Sequence, residues 1–125
     1  MPGTKKKNVL LVDDSPFVRE MVGKIISQLG HLPTKAADGE EGLRTADHQV
    51  PDAIILDVQM PKMDGLEVLG RLRADERFAA TPIVMLTSVG DSEIVKRSIK
   101  RQATSYILKD DPQQIMRRLS EILNA

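Results

Sequence analysis

Three aspartates stand where apolar runs stop. Asp13 and Asp14 follow "NVLLV" (8–12), and Asp57 closes "AIILD" (53–57). Thr87 and Ser88 end the run "TPIVMLT" (81–87), and Lys109 follows "TSYIL" (104–108). Carboxylates, a hydroxyl and an ammonium gathered in one place can hold a hard divalent cation and handle an anionic group. Three like charges close together repel, which pushes a carboxyl pKa upward unless something compensates. Oxygen donors with no His or Cys nearby suit Mg2+, which keeps several of its waters. Aspartates at strand ends also cap the following turn, and for Asp13 or Asp14 alone that plain role suffices. For three acids, a hydroxyl and a lysine at four strand ends, it needs several coincidences.

The elements that must position these residues alternate along the chain. The run 8–12 is a short buried strand. Val18, Met21, Val22, Ile25, Ile26 and Leu29 then recur at helical spacing, with Ser15 as N-cap, Pro16 at the first helical position and Gly30 at the end. "HLPTKAA" (31–37) is a weaker strand whose Pro33 argues for a sheet edge. "DGEEGLRTAD" is a short helix, 53–57 a strand, and "GLEVLGRLRAD" a helix with Leu66, Leu69 and Leu72 inward. The run 81–87 is a strand, Ile94, Val95, Ser98 and Ile99 line a helix, and 104–108 is a fifth strand. Ile115, Met116, Leu119, Ile122 and Leu123 mark the last helix, opened by Asp111 and Pro112. Five β-α units with continuous apolar strands predict a parallel, doubly wound α/β sheet covered by helices on both faces. In such a sheet ligands bind outside the carboxyl ends of the strands, where the strand order reverses. If the first and third strands are neighbours, Asp13, Asp14 and Asp57 converge there.

Composition narrows the function classes. The chain has 125 residues, 41% apolar and 2% aromatic, so one aliphatic core is expected. Lys plus Arg equals Asp plus Glu at 18 each, which lacks the positive excess of a nucleic-acid binder. No apolar run approaches a membrane span, and "MPGTKKKNVLLV" is no secretory signal. Cysteine is absent, which excludes disulfides and fits a cytoplasmic protein. There is no G-x-x-x-x-G-K-[ST] or G-x-G-x-x-G motif for a nucleotide. Val58 and Gln59 after Asp57 break the D-x-D arrangement of a metal-dependent phosphatase.

In order and at matching intervals, "VLLVDDS", "IILDVQMPKMDG", "VMLTS" and "YILKD" resemble the receiver domain of bacterial two-component response regulators. The resemblance runs from about Lys7 to Leu123, with residues 1–7 as a basic tail and 8–125 as the receiver domain. The chain stops at the fifth helix, as in the stand-alone chemotaxis-type receivers. A receiver cut from a longer regulator with an output domain is the alternative.

The resemblance implies a flavodoxin-like (βα)5 sheet of order 2-1-3-4-5, the order this family itself exemplifies. It implies that Asp57 accepts a phosphoryl group from a histidine kinase or phosphotransfer protein. Asp14 and Asp57 would hold Mg2+, with Asp13 assisting and the Gln59 carbonyl completing the protein ligands. Thr87 would donate to a phosphoryl oxygen, Lys109 would supply an ammonium, and Tyr106 would rotate inward on activation. Such a protein is a signalling phosphoacceptor that catalyses only its own phosphorylation and dephosphorylation. It would read out to a downstream protein through helix four, strand five and helix five, without direct contact with nucleic acid or membrane. The kinase would dock near Pro16, Phe17 and Val18, residues that simple packing explains equally. Lys96, Arg97, Lys100 and Arg101 lie on one side of helix four, which a solvated face explains.

The family pattern breaks in places. Asp110 follows Lys109 where the family has a proline behind a cis bond, so the bond is either strained or trans. Asp110 is also placed to compete for the lysine. The family's glycine before strand five is missing from "KRQATSY". Gln59 and Val89 occupy the positions that tune loss of the phosphoryl group in the family. A receiver-like module that docks without being phosphorylated is the competing function, with Asp110 as its one support.

Overall fold

The computed structural model describes residues 5–88 and 92–124. Its strands are β1 (Asn8–Val12), β2 (Leu32–Ala36), β3 (Ala53–Asp57), β4 (Ile83–Thr87) and β5 (Ser105–Leu108). Its helices are α1 (Pro16–Gln28), α2 (Gly39–His48), α3 (Gly65–Arg73), α4 (Ser92–Lys100) and α5 (Pro112–Leu123). A short 3-10 turn, Glu76–Phe78, was not foreseen; Asp75 starts it by accepting from the Arg77 amide. All strands are parallel, in the order β2-β1-β3-β4-β5. Val12 lies beside Ala36 and Leu56, Asp57 beside Leu86, and Thr87 beside Leu108, so the strand ends reach one common edge.

Alternation along each strand splits the core in two. Leu10, Val12, Ile54, Leu56, Ile83 and Met85 pack with Leu66, Leu69 and Leu72 of α3 and with Phe78. Val9, Leu11, Ile55, Val84, Leu86 and Ile107 pack with Val22 and Ile26 of α1 and with Ile115, Leu119 and Leu123 of α5. This is why the central strands are apolar on both faces between their ends. Each fully buried aliphatic side chain stabilises the fold by about 1.5–3 kcal/mol. The outer strands depart from the expected pattern. β2 and β5 each have one exposed flank, so Leu32 is half exposed and Tyr106 is 42% exposed. Ile99, expected on the inner stripe of α4, is 61% exposed. The side chain of Ile94 lies outside the described residues, as does Val89.

Local chemistry sets the boundaries. The Ser15 hydroxyl accepts from the Val18 amide, Asp38 and Asp64 cap α2 and α3, and Asp111 caps α5. Gly30 ends α1 at φ 90. Gly65 is required for its lack of bulk. A Cβ there would lie 2.1 Å from the Asp57 carbonyl oxygen, so its small size lets α3 start against the end of β3. The left-handed turn residue is Lys62, at φ 69. Gln102 takes φ 67 just before β5, near where the family glycine was missed. Lys7, counted above with the basic tail, joins the fold, since Leu32 N donates to its carbonyl at 2.9 Å.

Candidate functional site

β1 and β3 are neighbours, and each delivers its terminal acids to the same edge. Asp57 is the last residue of β3 and only 1% exposed; Asp13, one residue past β1, is wholly buried. Asp14 is exposed. Asp13, Asp14 and Asp57 each offer a carboxylate oxygen within 4.8 Å of the others. The all-oxygen set fits a hard cation such as Mg2+.

The ammonium comes from the far side. Lys109 follows β5, and its backbone amide extends the ladder by donating to the Thr87 carbonyl at 2.9 Å. Its Nζ lies 3.0 Å from Asp57 Oδ1 and 3.8 Å from Asp13 Oδ2. The neighbouring Asp110 does not take the lysine, and no cis peptide bond occurs among the described residues. The open choice at Lys109-Asp110 is therefore resolved as trans.

The pocket is left incompletely satisfied. Asp13 Oδ2, Asp57 Oδ2 and Thr87 Oγ1 are buried with no hydrogen-bond partner. Such orphans are rare in folded proteins and costly without a ligand. The carboxyl of Asp57 is pushed up to about 6, by burial first and then by Asp13, against the lowering pull of Lys109 and the Gln59 backbone amide. Asp13 is also raised, chiefly by burial, while the Ser15 amide and Lys109 pull it down. Burial, rather than the mutual repulsion expected from sequence, is the larger cause for both.

The remaining residues fall into place unevenly. Gln59 is in the turn after β3; the Val58 carbonyl before it accepts from Gly65 N at 2.8 Å. Tyr106 is adjacent to Ile107, which packs toward α1 and α5, so Tyr106 points to the opposite flank. Phe17 is 76% exposed whereas Val18 is buried, so packing explains only the second of these. Phe17, Glu20, Met21 and Lys24 line a surface groove of about 290 Å³. Arg101 is not free on the α4 face: its Nη1 donates to the Leu66 carbonyl at the start of α3, 2.8 Å away.

Sequence reasoning missed two arginines. Arg73 of α3 donates to the carbonyls of Phe78 and Gln102, tying α3 to the approach of β5. Arg19 of α1 donates to the Asp13 carbonyl at 2.6 Å. The only hint of the latter was a cation in the first turns of a helix, where the dipole disfavours it.

Comparison with known proteins adds an independent line. Residues 9–120 match the family model of the response regulator receiver domain. The gliding motility regulatory protein of Myxococcus xanthus is 37% identical over 110 residues, 88% of this chain and 14% of that protein. Chemotaxis protein CheY of Halobacterium salinarum is 33% identical over 120 residues, 95% of this chain and 98% of that one. This chain thus spans a small part of one relative and nearly all of the other. The crystallised chemotaxis protein CheY4 of Vibrio cholerae superposes with a TM-score of 0.88 at 34% identity, covering 95% of this chain and 100% of that one. The receiver domain of a sensor histidine kinase from Pseudomonas aeruginosa, with a magnesium ion coordinated in its active site cleft, gives a TM-score of 0.83 at 26% identity, over 95% and 98% of the two chains.

Proposed function

The chain belongs to the response regulator receiver domain family, and on that premise we propose that it is a Mg2+-dependent phosphoacceptor switch. One observation carries the reading: Asp13, Asp57 and Thr87 each keep a buried oxygen without a hydrogen-bond partner, and Lys109 Nζ lies 3.0 Å from Asp57 Oδ1 and 3.8 Å from Asp13 Oδ2. Asp57 is the nucleophile. Its carboxylate oxygen forms the new O–P bond while the P–N bond of a phosphohistidine breaks, and the imidazole leaves with its electron pair. Asp13, Asp14, Asp57 and the Gln59 carbonyl would hold Mg2+, which would supply charge neutralisation for the phosphoryl oxygens. Lys109 keeps Asp57 ionised before transfer and pairs with the phosphoryl oxygens after it. Thr87, whose hydroxyl has no partner, turns to a phosphoryl oxygen. The shift at the end of β4 frees the flank onto which Tyr106 rotates, and the face of α4, β5 and α5 passes the change to a protein target. The kinase or phosphotransfer protein docks over exposed Phe17 in the first turn of α1. The receiver unit, residues 8–125, does this whether it works alone or within a longer regulator.

The test is intact mass after incubation with a small phosphodonor, with and without Mg2+. A gain of one phosphoryl group that needs Mg2+ and is lost in Asp57→Asn is expected. A folded protein that binds Mg2+ and gains no phosphoryl group would overturn the reading in favour of a docking module.

A further inference from the structure

Asp13 is held at three of its four polar atoms. Its amide donates to the Ala36 carbonyl at 3.1 Å, its Oδ1 accepts from Ser15 N at 2.8 Å, and its carbonyl accepts from Arg19 Nη1 at 2.6 Å. Only Oδ2 lacks a hydrogen-bond partner. The first two bonds follow from strand pairing and from the turn itself. The third does not follow from either. Arg19 is the fourth residue of α1, where the unpaired amides of the helix start make the field positive and a cation is disfavoured. Among the described residues no carboxylate lies within ion-pair distance of it. Its guanidinium donates instead to the carbonyl of a wholly buried residue, a group that is costly to leave without a donor.

We propose that Arg19 is a positioning residue for the cation site. By gripping the Asp13 carbonyl it fixes the turn between β1 and α1, and so fixes where Asp13 Oδ2 and the adjoining Asp14 point. The inference rests on the Mg2+ reading of the acid cluster given above. Two effects of Arg19 oppose each other, which makes the role measurable. As a cation close to Asp13 it weakens the attraction for Mg2+, so charge alone makes its removal tighten binding. As a positioning group it pre-forms the site, so its removal loosens binding. Residues that orient metal ligands typically contribute about tenfold or more in metal affinity.

The experiment is calorimetric titration of MgCl2 into the whole chain at constant ionic strength, for the unaltered protein, Arg19→Met and Arg19→Lys, with folding checked by far-UV circular dichroism. The expected result is Mg2+ binding about tenfold weaker in Arg19→Met and largely restored in Arg19→Lys, which keeps a long donor. Unchanged or tighter binding by Arg19→Met overturns the proposal while the metal reading stands. Absence of Mg2+ binding by the unaltered protein overturns the metal reading and this proposal with it. If Arg19→Met does not fold, Arg19→Gln takes its place with the same expectations.

Discussion

The two edges of the sheet both bury polar side chains, and they treat them in opposite ways. At the amino edge His31, 2% exposed, is fully engaged: Lys7 N–H donates to Nδ1 at 3.0 Å, and Nε2 lies 2.7 Å from Asn124 Oδ1. Because Nδ1 accepts, the ring proton belongs on Nε2, where it donates to Asn124. This histidine ties the start of β1, the approach to β2 and the end of α5 into one corner. At the carboxyl edge Asp13, Asp57 and Thr87 are equally buried, yet each keeps an atom with no partner. A satisfied buried polar group stabilises and specifies a structure. An unsatisfied one stores a demand that a ligand can meet.

The contrast can be broken from either side. Replacing His31 by Ala leaves the Lys7 amide and the Asn124 side chain without partners and opens a cavity. Chemical denaturation should show a loss of about 3 kcal/mol, with Mg2+ affinity unchanged. A comparable loss of Mg2+ affinity would mean that the two edges are not independent. At the other edge, saturating Mg2+ should raise stability, by about 2.7 kcal/mol at a hundred times its Kd. Thermal melts should show that gain shrinking in Asp14→Asn; an undiminished gain would remove Asp14 from the ligand set.

Asp57→Asn should stabilise the metal-free protein at pH 7 by about 2 kcal/mol, since it removes a charge that folding disfavours. The sign follows from the folded carboxyl being raised from 3.8 to about 6. Between those values the folded state holds more proton than the unfolded one, so the native protein loses stability as pH rises through the window. The mutant's advantage is therefore full above about pH 6 and gone below about pH 4. A melt series in which the advantage grows toward acid would refute the raised carboxyl. The smallest effect is expected from Thr87→Val, which swaps an orphaned hydroxyl for a methyl of similar shape. Stability should change by less than about 1 kcal/mol, in the stabilising direction. A clear loss would reveal a partner for Thr87 Oγ1.

Much of the fold was readable because its signals are local. Ser15-Pro16 and Asp111-Pro112 open α1 and α5 as their capping chemistry requires, and Pro33 marks β2 as an edge. The uninterrupted apolar runs of β1, β3 and β4 announced burial on both faces. The same logic failed at β5 and at Ile99, because apolar periodicity reports a tendency and not whether a neighbour covers that flank. Gly65 could not be assigned its role from sequence, since no local signal separates a glycine needed for φ from one needed for lack of bulk.

The site divides along the same line. The sequence alone determined the chemistry: three carboxylates, a hydroxyl and a lysine, each at the end of a strand and therefore bound for one edge of a parallel sheet. Only the tertiary structure decided how they are engaged. It turned Lys109 to Asp57 and Asp13 rather than to the adjacent Asp110, left three buried oxygens open, and raised Asp57 chiefly by burial. It also brought Arg19 to the Asp13 carbonyl and Arg101 to the Leu66 carbonyl. Residue type and position along a strand are local facts. Partner choice and desolvation depend on which distant segments pack against them.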